Sequence, residues 1–88
     1  MPSKKREVRY RLYVLRWNHE IHQPYYERVR DIHAKYPVPA MSAYADRHGY
    51  TRLVNDGTLW GGYLVNDSTG DSLHVIPADK RPEEIYPI

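Results

Sequence analysis

The sequence contains no cysteine and no phenylalanine, and Leu, Ile and Val together number only 18 of its 88 residues. The missing thiols exclude a disulfide scaffold, a thiolate metal centre and cysteine nucleophilic catalysis. The shortage of branched aliphatics places the chain near the roughly 20% line below which disorder is suspected. A net charge of only +2 withholds the other half of that signature, the strong self-repulsion that keeps a chain open. No stretch approaches the ~18 consecutive apolar residues of a membrane span. The basic start MPSKKR runs into alternating Arg and apolar residues, not into the apolar core of a signal peptide. The expectation is a cytoplasmic protein without membrane contact. No glycine-rich phosphate loop occurs, because Gly61-Gly62 falls inside a strand pattern without the helix and Lys that a P-loop needs.

Tyrosine fills the gap, with nine copies beside two tryptophans. The chain is long enough for one small domain, which buries somewhat over ~60% of its unfolded surface. A thin core results, in which tyrosine replaces part of the usual aliphatic content. Expected boundaries are a flexible basic arm at 1–6, a folded domain at 7–76 and a proline-rich extended tail at 77–88.

Residues 7–17, EVRYRLYVLRW, alternate with period two and predict a strand. Val8, Tyr10, Leu12 and Val14 share one face, while Arg9, Arg11, Tyr13, Leu15 and Trp17 share the other. Pro24 suits a first helical position, and Val29, Ile32 and Tyr36 recur at helical spacing, so a helix is predicted from there to Pro37. Asp31 and Lys35 would form an i,i+4 pair on it. A second helix fits residues 40–48, capped by Gly49. Strands are predicted at 50–55 and 58–66 around the Asp56-Gly57 hairpin signal, and at 72–76 after the turn Asp67-Ser68-Thr69-Gly70. Alternation assigns Leu59, Tyr63, Val65, Leu73 and Val75 to one sheet face, and Trp60, Leu64, His74 and Ile76 to the other. Gly61-Gly62 suggests a bulge. The predicted fold is a single α+β domain of β-α-α-β-β-β order, a mostly antiparallel four-stranded sheet with two helices on one face.

Charge is unevenly spread. Through Trp17 the chain carries a net +5, and the remainder a net −3, which points to one face meeting an acidic partner. Interface hot spots are rich in Trp, Tyr and Arg, so Arg9, Arg11, Tyr13, Arg16, Trp17, Trp60 and His74 form the candidate binding set. Five histidines raise a metal question, but HEIH at residues 19–22 lacks the i,i+4 spacing of the HExxH pattern. His33 and His48 read as helix-face residues. Neither a metal nor a cofactor is expected. Serines occupy no nucleophile-elbow context, and Asn66-Asp67-Ser68 reads as a turn.

The binding face favours a protein partner, one class being nucleic-acid-processing enzymes. The chain then acts as a compact inhibitor or adaptor, of the kind phages and other mobile elements encode. A first alternative is a nucleic-acid module that stacks bases on the basic, aromatic first strand. A homodimer through the apolar outer face is a further possibility. The element order, small size and pI near 8.9 also resemble the RelE/ParE class of bacterial toxins. That resemblance implies an mRNA-cleaving ribonuclease with Arg52, Tyr63, His74 and Tyr86 handling the phosphate and the 2′-hydroxyl.

Overall fold

The alternation of the first strand is realised in three dimensions. A computed structural model describes residues 8–55 and 62–88, apart from the side chains of residues 37, 38 and 40. The expected arm at 1–6, the Asp56-Gly57 hairpin, Leu59, Trp60 and Gly61 lie outside the described residues. Strand β1, Val8–Asn18, turns Tyr10, Leu12 and Val14 into the core, each nearly or completely buried. Burying one such aliphatic side chain stabilises the fold by about 1.5–3 kcal/mol.

The element order corrects the sequence reading. The segment expected to be a helix from Pro24 is strand β2, Gln23–Ala34, antiparallel to β1. The turn between them is fixed by the Asn18 carboxamide, whose oxygen accepts the Glu20 and Ile21 N–H groups, and by left-handed backbone at His22. The reason for the error is a β-bulge. The pairing shifts between Leu12 and Tyr13, which face Arg30 and Arg28 and leave Val29 as the extra residue. A bulge changes the phase of the alternation. Val29 and Ile32, three apart, therefore both pack against the core. Arg28 and Asp31, also three apart, meet at 3.5 Å. That spacing imitates a helix. Asp31 and Lys35 are then not successive-turn neighbours.

Helix α1, Pro37–His48, begins at the prolines expected to end the preceding helix. Prolines in a first turn cost no helical hydrogen bond, because those N–H groups have no partner within the helix. Met41 and Ala45, four apart, face the sheet and are buried. Gly49 ends the helix in the left-handed conformation as expected. Strands β3, Arg52–Val54, β4, Tyr63–Val65, and β5, Ser72–Pro77, follow. A final turn, α2, spans Pro82–Ile85.

The fold is thus α+β, with a five-stranded antiparallel sheet of order β2-β1-β5-β4-β3 in place of the expected four strands. Helix α1 covers the inner face, over the cluster Tyr10, Leu12, Val14, Leu73 and Val75. The second helix does not join it. Contacts of Tyr86 with His74 and Tyr26 place the segment after α2 on the outer face. The β4 assignments also reverse: Leu64 pairs with Leu73 and Val65 with Ser72. Opposed residues share a face, so Leu64 points inward while Tyr63 and Val65 join His74 outside. Gly62 has φ +129°, and a Cβ there would collide with the Val54 carbonyl oxygen. Only glycine lets β4 start so close to β3. No helix among the described residues is long and apolar enough to cross a membrane.

Candidate functional site

The outer face divides into an open half and a covered half. Pairing across β1 and β2 sets Arg9 opposite His33, Arg11 opposite Asp31, Tyr13 opposite Arg28, Leu15 opposite Tyr26, and Trp17 opposite Pro24. Arg9, Arg28, His33 and Trp17 are exposed, and Arg11 and Tyr13 are half-buried. Three guanidinium groups and an imidazole therefore share this face with one carboxylate, Asp31, which lies 3.9 Å from Arg11 and 3.5 Å from Arg28. Beyond Leu15 the β1–β2 hairpin outruns β5. Its projecting end carries Trp17 on this face and Ile21 at the turn, exposed by 49% and 59%, while Tyr25, paired with Arg16, is exposed by 39% on the opposite face.

Of the candidate set, Arg9, Arg11, Tyr13 and Trp17 occupy this open half. Arg16 does not. It lies on the opposite face, where its Nε donates to Glu27 at 2.7 Å and a terminal nitrogen donates to Asp71 at 3.1 Å. The Glu27 hydrogen bond outweighs partial burial and raises the Arg16 pKa above its ordinary value. Trp60 falls outside the described residues. His74 is on the outer face but only 2% exposed, so it belongs to the covered half. His33 is an exposed strand residue, and His48, in the last turn of α1, stacks on Tyr44 at 4.1 Å. Arg28, His33 and Tyr26 were missed because their faces depend on the bulge.

The covered half is an aromatic cluster around His74. Tyr63 stacks on the imidazole at 4.6 Å, while Tyr86 and Tyr26 approach it edge-on at 4.5 and 5.6 Å. Tyr13 extends the cluster through Tyr26 at 6.2 Å. Such edge and offset pairs contribute about 0.5–1.5 kcal/mol each beyond area burial. The Tyr26 hydroxyl donates to the Tyr86 carbonyl at 2.8 Å and so ties the tail down. Burial pushes this hydroxyl up to about 12, with Glu83 adding to the effect. Beneath the rings, Ser72 Oγ and His74 Nε2 are 2.7 Å apart. Their i,i+2 spacing in a strand was the available signal, since it puts both on one face.

A serine hydroxyl beside an imidazole has nucleophile–base geometry. Here Ser72 is 8% and His74 2% exposed, and three tyrosine rings enclose the imidazole, so the pair sits in the floor of a packed cluster. Tyr63, His74 and Tyr86 of the ribonuclease set do come together. Arg52 does not, being an exposed strand residue bonded to Asp67 at 2.9 Å. Among the described residues no three His, Asp or Glu side chains converge on a metal-sized site. The β-β-α-β-β-β-α order also departs from the element order on which the toxin resemblance rested. No protein-family model matches the chain, and no curated protein or solved structure matches it either.

Proposed function

We propose that this chain is a non-catalytic binding protein that engages an acidic protein surface through the open half of its outer sheet face. One observation carries the reading: Arg9, Arg11 and Arg28 share one face with Tyr13 and Trp17, with Asp31 between Arg11 and Arg28. Tyr and Trp present rigid area at small entropic cost, and Arg pairs with carboxylates through two donors at once. The inhibitor or adaptor role follows from size and from this face, and nucleic-acid-processing enzymes remain one class of partner. Trp17, exposed at the hairpin end, adds apolar area at the rim of the same surface. The alternative, a nucleic-acid module, uses the same arginines and rings. The ribonuclease reading is supported by the meeting of Tyr63, His74 and Tyr86, and opposed by the burial of His74 and the engagement of Arg52 with Asp67.

The test is affinity capture from nuclease-treated extract with the natural sequence and with Arg9→Glu/Arg28→Glu. Both sites are exposed, so the fold should persist. A specific protein retained after nuclease and lost with the double variant supports the proposal. Recovery that disappears with nuclease supports the nucleic-acid alternative.

A further inference from the structure

Between β5 and the segment after α2 the outer face keeps an open cleft of about 300 Å3. Its floor is Leu15 with the Ser72–His74 pair, and its walls are Tyr26, Tyr63 and the 85–88 segment. We propose that this cleft receives one planar aromatic ring bearing a hydrogen-bonding group, of indole or phenol size, supplied by the protein partner as an anchoring side chain.

Four features select that occupant. The volume lies at the small end of the roughly 300–1,000 Å3 of ligand sites, so it fits one ring system and excludes a dinucleotide. None of the described lining residues is Asp, Glu, Lys or Arg, so a phosphate or carboxylate would lose its hydration without a counter-charge. The surrounding rings already pack edge-to-face and stacked, an arrangement that a further ring extends and a puckered aliphatic ring does not. Ser72 supplies the polar contact: its hydroxyl has donor and acceptor capacity beyond its bond to His74. The cleft is also continuous with the proposed interface, since Leu15 and Tyr26 form the cross-strand pair next to Tyr13–Arg28. Assignment of the ring to a partner side chain rests on the protein-binding reading. The cleft's preference for rings does not.

The experiment titrates the isotope-labelled full chain with indole and with p-cresol, using cyclohexanol as a non-planar control and benzoate as a charged one, followed by NMR. Saturable shifts confined to Leu15, Ser72, His74 and Ile85 are expected. Indole should bind roughly three- to tenfold more tightly than cyclohexanol, the ratio that one aromatic pair supplies. Benzoate should bind more weakly than p-cresol. Ile85→Trp, which fills the cleft from its rim, should abolish the indole shifts. Linear shifts, shifts centred on exposed Trp17 or Leu53, or cyclohexanol binding as tightly as indole would each overturn the proposal. These comparisons use the natural sequence, so they stand even if Ile85→Trp does not fold. Excess indole should also reduce partner recovery in the nuclease-treated capture. If indole occupies the cleft and recovery is unchanged, the partner-side-chain assignment is overturned and the ring comes from a free small molecule. If Arg9→Glu/Arg28→Glu leaves recovery intact while indole still binds, the protein-binding reading of the open half fails and the ring preference stands.

Discussion

Replacing Tyr86 by alanine removes the ring that closes the aromatic cluster while leaving its backbone carbonyl in place for Tyr26. Two aromatic contacts go, with His74 at 4.5 Å and with Tyr63 at 5.8 Å. Each contributes about 0.5–1.5 kcal/mol. The ring is half-buried, so about 100 Å2 of lost burial adds roughly 2.5 kcal/mol at 25 cal/mol per Å2. With relaxation of the exposed segment, a net loss of about 2–4 kcal/mol follows. For a domain of this size each kcal/mol moves the melting temperature by roughly 4–8 °C. Thermal unfolding followed by circular dichroism should therefore show Tyr86→Ala melting at least about 8 °C lower. Tyr86→Phe keeps both ring contacts and removes only the hydroxyl, which is 3.5 Å from the Gly62 carbonyl, so it should cost less than Tyr86→Ala. A Tyr86→Ala melting point within about 2 °C of the natural sequence would refute the docking of the tail on the outer face.

Other outcomes follow from single positions. Gly62→Ala forces a Cβ against the Val54 carbonyl at φ +129°, whereas Gly70→Ala at φ +79° meets nothing within 4 Å; denaturant unfolding should show the Gly62 variant losing more than the roughly 1–2 kcal/mol of left-handed strain that Gly70→Ala carries. Alkali should weaken the fold, because the Tyr26 hydroxyl sits at about 12 against an ordinary 10: stability is complete below pH 10 and is lost as the pH rises towards 12, since the unfolded chain releases that proton first. Melting curves across this range should show the decline, and Tyr26→Phe should flatten part of it. Induced expression should produce no new cuts within mRNA codons when ribosome positions are mapped, and cuts that depend on Tyr63 and His74 would reinstate the ribonuclease reading.

What the sequence conveyed depended on whether local period survived into the fold. In β1 it did: period-two alternation separated Tyr10, Leu12 and Val14 from Arg9, Arg11 and Tyr13, and the structure keeps that division. In β2 one extra residue at Val29 turned a strand's alternation into an apparent helical spacing, so Arg28 and His33 could not be assigned to a face. In β4 the strand was recognised, but faces follow from register against β5, and the Leu64–Leu73 pairing reverses them. Register is a tertiary property that alternation within one strand does not carry. The helix at 40–48 was legible from Met41, Tyr44 and Gly49, although its start lay three residues earlier, inside the prolines. Arg16 was grouped with its basic neighbours by composition, whereas its even position already placed it beside Val14. The Ser72–His74 pair was written in i,i+2 spacing, but the closure of Tyr86 over it depended on how the tail returns to the sheet.

Photo-crosslinking from defined positions tests the central proposal most directly. A benzophenone side chain placed at Arg28, on the open outer face, and one placed at Arg47, exposed on α1, report which surface meets the partner inside cells. After irradiation and nuclease treatment, a discrete protein adduct from position 28 and none from position 47 is expected. An adduct from position 47 alone, or nucleic acid as the species attached at position 28, would contradict the assignment of the outer face to a protein partner.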